Sequence, residues 1–367
     1  MTTPLQRVFV EQGQSPWLDN LQRSYLSGGT IRALIANGVR GLTSNPTIFQ
    51  KAIQGSHDYD DQFEFEIKRG LSPMDAYWEM VLSDINGALD EFEALHRSSH
   101  GVDGFVSVEV DPSLAHDTAS TLDAARKLHD RISRSNVMIK IPATAEGLPA
   151  VRQMIAEGRS VNVTLIFSLQ RYSDVMEAYI AGLEDRQSQG LDISGVHSVA
   201  SFFISRVDNV IDAQLESVGS PEALALKGTA AVAQAKLAYE LFERFFNGPR
   251  WERLADAGAH VQRPLWASTS TKNPSYPDTL YVDNLIGPHT VNTLPDATLE
   301  AFADHGHVSR SIDANLDEAH EQWNSIQKLG INVEQVATDL EREGVASFMK
   351  SFDELLTVLR DKAASFS

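Results

Sequence analysis

The chain has 367 residues, of which 42% are apolar and 22% charged, a balance that suits a globular protein whose core fills one barrel-sized domain over 1–367. Its 31 Lys plus Arg against 50 Asp plus Glu give a formal net charge of -19, which argues against a general nucleic-acid or anionic-membrane surface. The absence of cysteine excludes disulfides, thiolate catalysis and cysteine-ligated zinc or iron–sulfur sites.

The chain opens with Met1-Thr2-Thr3-Pro4 and one short apolar stretch, Val8-Phe9-Val10, so neither a secretory leader nor a spanning segment is expected and a cytoplasmic location is. The first strand candidate, 15–18, runs into Asp19-Asn20 and is followed by helical sequence interrupted at Gly28-Gly29. A second, 39–45, ends in Ser44-Asn45, with Pro46 placed to begin a helix. Asp19 and Asn45 also have a plainer reading as helix caps. Two or three helices are expected over 47–99, with Ser56 and Ser72-Pro73 as starts. The third strand, 104–111, carries Glu109 and Asp111 near its end before Pro112 halts it.

After an amphipathic helix over 120–133 come a fourth strand, 137–144, a helix over 146–158, a fifth strand, 160–167, and a helix over 168–190. The sixth strand, 198–204, leads into Ser205-Arg206 and a helix from Val207, and one Ala-rich helix is expected over 221–246. The seventh strand, 264–268, is trailed by a polar segment holding Ser270 and Lys272; a short helical piece at 283–286 precedes the eighth, 289–294. The remainder, 296–367, reads as helix with breaks at Gly330 and Gly344.

Eight short strands separated by helices predict an α/β fold with a parallel sheet, and eight is the number that closes a (β/α)8 TIM barrel; an open doubly wound sheet is the alternative. Closure is favoured by where the polar residues fall. Asp19, Asn45, Glu109, Lys140, Asn162, Thr164, Ser201 and Ser268 lie at or near the C-terminal ends of seven strands, the barrel face on which active sites assemble.

The fourth strand, Val137-Met138-Ile139-Lys140-Ile141-Pro142-Ala143-Thr144, sets one lysine into an otherwise apolar run. Such a lysine can snorkel to the strand end or pair with a carboxylate. It can also be a Schiff-base nucleophile, because desolvation favours the neutral amine that attacks a carbonyl. Imine chemistry further needs a proton donor and acceptor, a second base for a substrate hydroxyl, and hydrogen-bond donors for a polyol, and the strand-end set contains these types. No zinc-binding His pair on a helix, EF-hand loop, phosphate-cradling Gly-rich loop, dinucleotide turn or Gly-x-Ser-x-Gly elbow occurs, so no metal or other cofactor is expected. The closest histidine pair, His305 and His307, reads as a solvated turn.

The segments Gly41-Leu42-Thr43-Ser44-Asn45-Pro46-Thr47-Ile48-Phe49 and 137–144 resemble the two transaldolase signatures, and the resemblance runs from Trp17 to Thr293. It implies a class I aldolase-type barrel with its lysine on the fourth strand, of the larger bacterial form without a fused isomerase. The implied reaction moves a dihydroxyacetone unit from sedoheptulose 7-phosphate to glyceraldehyde 3-phosphate in the pentose phosphate pathway. Lys140 would then be the nucleophile, Glu109 the acid/base acting through a water held near Thr164, and Asp19 the base for the C4 hydroxyl. Asn45 and Asn162 would hold the dihydroxyacetone hydroxyls, and Ser201, Arg206 and Ser268 the phosphate. Where many relatives have an arginine two residues after the equivalent of Ser268, this chain has Ser270, and Lys272 is the nearest cation. A lysine replaces the charge but not the bidentate fork, which makes Arg206 the stronger phosphate ligand. A fructose 6-phosphate aldolase and a non-catalytic sugar-phosphate-binding barrel are the competing functions. Monomer and homodimer are both open.

Overall fold

The apolar runs become eight parallel strands: β1 Ser15–Leu18, β2 Leu42–Thr43, β3 Val106–Glu109, β4 Val137–Pro142, β5 Val161–Ile166, β6 Ser198–Phe203, β7 Arg263–Ala267 and β8 Val291–Leu294. In the computed structural model, which describes residues 2–366, they pair in sequence order, and β1 closes on β8 through Ser15↔Val291 to Leu18↔Leu294. The closed barrel with its surrounding helices is a (β/α)8 architecture, and the open-sheet alternative falls. Every strand residue is buried, as expected where helices cover the outside and side chains fill the inside.

The N-terminal end of the barrel is pinned by a buried ion cluster. Asp103 accepts from Arg40 Nε at 2.6 Å, Ser15 Oγ at 2.9 Å and Arg263 Nη2 at 3.2 Å. Burial alone would raise the Asp103 carboxyl, but Arg263 and Arg40 outweigh it and hold the group below its ordinary value. That end is therefore a fixed base, and the chemistry-bearing residues lie at the other.

Several elements differ from the sequence reading. Helix Pro4–Gln12 was not anticipated, although Thr3 and Gln6 form a capping box and Gly13 ends it in the left-handed region. Strand pairing in β2 covers only Leu42–Thr43, because Ser44 and Asn45 turn into the next helix. The Ala-rich helix is two, Pro221–Ala225 and Ala230–Phe245, separated where Gly228 takes φ +73° and donates its N–H to Asp212. Gly330 does end a helix, Leu316–Lys328, but Gly344 lies inside the long helix Val333–Ala364. Three helices fill 47–99, and Ser72 caps the last of them, whereas Ser56 ends the first. The C-terminal helix crosses the open end of the barrel, tied to helix Pro46–Gly55 by Thr47 Oγ1 and Ser351 Oγ at 2.8 Å and by Gln50 Nε2 donating to Glu354 at 2.9 Å.

Candidate active site

Strand register brings the central groups together. Glu109 on β3 is level with Lys140 on β4, and Lys140 with Asn162 on β5, so three candidate site residues share one layer of the barrel. Lys140 Nζ is 3.6 Å from Glu109 Oε2 and donates to the Ser44 carbonyl at 3.4 Å. Both carboxylate oxygens of Glu109 are buried without a hydrogen-bond partner among the described residues, as is Thr164 Oγ1 on β5. Buried acceptors left unmatched are costly, and these flank the lysine on its two neighbouring strands. Burial pushes the Glu109 carboxyl up to about 7 against the opposing pull of Lys140. Asp103 and Glu109 are both buried acids; the former has two arginines and stays ionised, the latter has one lysine and is poised near neutrality.

The open end holds a cavity of about 350 Å³. Asp19, Asn45, Lys140, Ser201, Arg206, Ser268 and Lys272 lie on its wall. Asp19 follows β1 and accepts from Thr43 Oγ1 at 2.8 Å, so it is not a helix cap. Asn45 is one: its Oδ1 accepts from Ile48 N at 3.0 Å, which leaves Nδ2 available to the cavity. Glu109, Asn162 and Thr164 are not on that wall but behind it. The Asn162 amide donates to Ser107 Oγ at 3.1 Å and accepts from Ser201 Oγ at 2.7 Å, so Asn162 fixes a wall residue and keeps one Nδ2 hydrogen unused.

Arg206, the second residue of helix Ser205–Val218, lies over the Phe203 ring at 5.1 Å and has no hydrogen bond or ion pair with any described residue. Burial lowers its pKa, with Asp19 and Glu343 opposing. A half-buried guanidinium without a partner, on a wall shared with exposed Lys51 and Lys272, is a local positive site in an acidic protein. Ser268 shares a hydrogen bond with Ser205 at 2.9 Å, and Ser270 with Thr298 at 2.8 Å. Two non-glycine residues beside the site occupy the left-handed region: Leu165, at a register shift in β5, has φ +61°, and Ser268 has φ +57°. Such backbone costs on the order of 1–3 kcal/mol and here aims Thr164 and Ser268.

Lys51, Thr43, Ser347 and Phe348 also line the cavity and were absent from the sequence-derived set. A lysine two turns into a helix carried no signal, and Ser347 and Phe348 belong to the C-terminal helix. Asp111 is the cap of a 3-10 turn, accepting from Ser113 N at 2.8 Å. His305, with Asp278 at 2.9 Å, is a surface contact, and no group of three or more acids and histidines among the described residues could hold a metal ion.

A family model described as transaldolase/fructose-6-phosphate aldolase matches residues 16–359. The chain is 49% identical over 357 residues to transaldolase 1 of Streptomyces coelicolor, covering 97% of this chain and 93% of that one. It is 50% identical over 355 residues to the transaldolase of a Parafrankia species, with 96% of each covered. To the transaldolase of Thermobifida fusca it is 47% identical over 367 residues, all of both chains.

Proposed function

Because the chain belongs to the transaldolase/fructose-6-phosphate aldolase family, we propose that it is a transaldolase, moving a dihydroxyacetone unit from sedoheptulose 7-phosphate to glyceraldehyde 3-phosphate through an imine on Lys140. The products are erythrose 4-phosphate and fructose 6-phosphate. The observation that carries the reading is the level placement of Glu109, Lys140 and Asn162 in one barrel layer, with the lysine reaching the cavity and the carboxyl behind it poised near neutrality.

In this reading the neutral Lys140 amine adds to the donor carbonyl, and Glu109 supplies the proton with which the carbinolamine loses water. Its unmatched oxygens and Thr164 Oγ1 suit a water between them that relays the proton. Asp19 then takes the proton of the C4 hydroxyl as the C3–C4 bond breaks and the aldehyde leaves; the electron pair is delocalised into the imine as an enamine. The enamine carbon attacks the acceptor aldehyde, Asp19 returns its proton to the new alkoxide, and hydrolysis frees Lys140. Asn45 orients the bound hydroxyls, Asn162 does so with Ser201, and Arg206 binds the phosphate with Ser268 and Lys272 beside it. We place the enzyme in the cytoplasm, consistent with there being no helix among the described residues long and apolar enough to cross a membrane.

Two expected results follow. With an acid form that persists to pH about 7, imine formation should slow as pH rises through that value, since the proton donor is lost. In Glu109→Gln the step should be slower by roughly 10²- to 10⁴-fold and the inflection absent; its survival in the variant would remove Glu109 from the step. Separately, fructose 6-phosphate consumption should depend strongly on added erythrose 4-phosphate and give sedoheptulose 7-phosphate with ping-pong kinetics. Comparable release of free dihydroxyacetone without an acceptor would identify an aldolase instead.

A further inference from the structure

One face of the C-terminal helix Val333–Ala364 meets the cavity mouth at positions spaced three and four apart: Gly344, Ser347, Phe348 and Ser351. Ser351 is hydrogen-bonded to Thr47. Ser347 and Phe348 are on the cavity wall; Phe348 is buried, whereas Ser347 is exposed and its hydroxyl has no partner among the described residues. Gly344, one turn earlier, lies directly against the barrel. A Cβ there would come within 2.9 Å of Leu165 Cδ2 and 3.6 Å of Arg206 Nη1. Leu165 is fully buried on strained backbone, so it has little freedom to yield.

We infer that the C-terminal helix is part of the substrate site: Ser347 donates a hydrogen bond to the substrate phosphate beside Arg206, and Gly344 is the positioning residue that lets the helix sit low enough for it to do so. The chemistry is complementary. A half-buried guanidinium supplies charge to an oxyanion, and a hydroxyl on the same cavity wall supplies a neutral donor for another oxygen. Apart from Phe348, the wall that Ser347 completes is formed by residues more than 50 positions earlier in the chain, so the last helix decides how well a phosphorylated end fits.

This inference rests on the transaldolase reading, and the test separates the two. Acceptor-dependent turnover of the unaltered protein is measured first; its absence removes both. Acceptor KM is then compared for glyceraldehyde 3-phosphate and unphosphorylated glyceraldehyde, at saturating donor. Ser347→Ala, at an exposed position, should raise KM for the phosphorylated acceptor about tenfold, leave kcat nearly unchanged and leave glyceraldehyde unaffected, a smaller version of the split expected of Arg206→Ala. Gly344→Ala should give the same split, because its methyl lifts the helix from Leu165. No change in Ser347→Ala, or equal changes with both acceptors, would overturn the assignment. Alanine normally stabilises a helix interior relative to glycine, so a Gly344→Ala protein with raised Tm and unaltered KM would overturn the seating role.

Discussion

Lys140→Arg is expected to abolish turnover, by on the order of 10⁵-fold or more, while leaving the barrel folded. Arginine keeps the positive charge and most of the aliphatic stem beside Glu109 and the Ser44 carbonyl, so a lysine whose purpose was to balance a buried carboxylate would tolerate the exchange. A nucleophile would not, because guanidinium stays protonated and cannot add to a carbonyl. The 3.6 Å separation from Glu109 makes a loose pair, and the carboxyl oxygens lack hydrogen bonds, which is a poor arrangement for a purely structural ion pair. Circular dichroism and the melting temperature would report the fold, and a coupled assay the turnover.

Asp19→Ala should separate two steps that Lys140→Arg stops together. Asp19 is on the cavity wall but outside the Glu109–Lys140–Asn162 layer, held by Thr43 at 2.8 Å, and is assigned to the substrate hydroxyl and not to the imine. The variant should still form a borohydride-trappable adduct with fructose 6-phosphate, yet cleave it roughly 10²- to 10⁴-fold more slowly. Trapped adduct should therefore accumulate above its level in the unaltered enzyme. A folded variant that traps no adduct would place Asp19 in imine formation.

The strands were legible because each is an apolar run ended by polar residues, and the barrel face that carries those polar ends was legible with them. Helix continuity was less so. Gly228 and Gly344 look alike in sequence, but one takes a left-handed turn and the other stays helical because its missing side chain makes room for Leu165. Propensity reports what a glycine permits, and tertiary packing decides which permission is used. The same holds for the site. Lys140 and Glu109 announce themselves as charges in buried strands, whereas Lys51 and Ser347 sit on ordinary helical sequence and acquire meaning only from what those helices cover. Asn162 was readable as a candidate, but not its engagement with Ser107 and Ser201, which depends on side chains from three strands meeting in one layer.

In the proposed mechanism one lysine carries the transferred unit. Incubation with fructose 6-phosphate, reduction with borohydride and peptide mapping by mass spectrometry should find the reduced three-carbon or six-carbon adduct on Lys140 and on no other lysine, with Lys51 and Lys272 of the same cavity unmodified. An adduct on either of those residues, or none at all in protein that turns over substrate, would contradict the account.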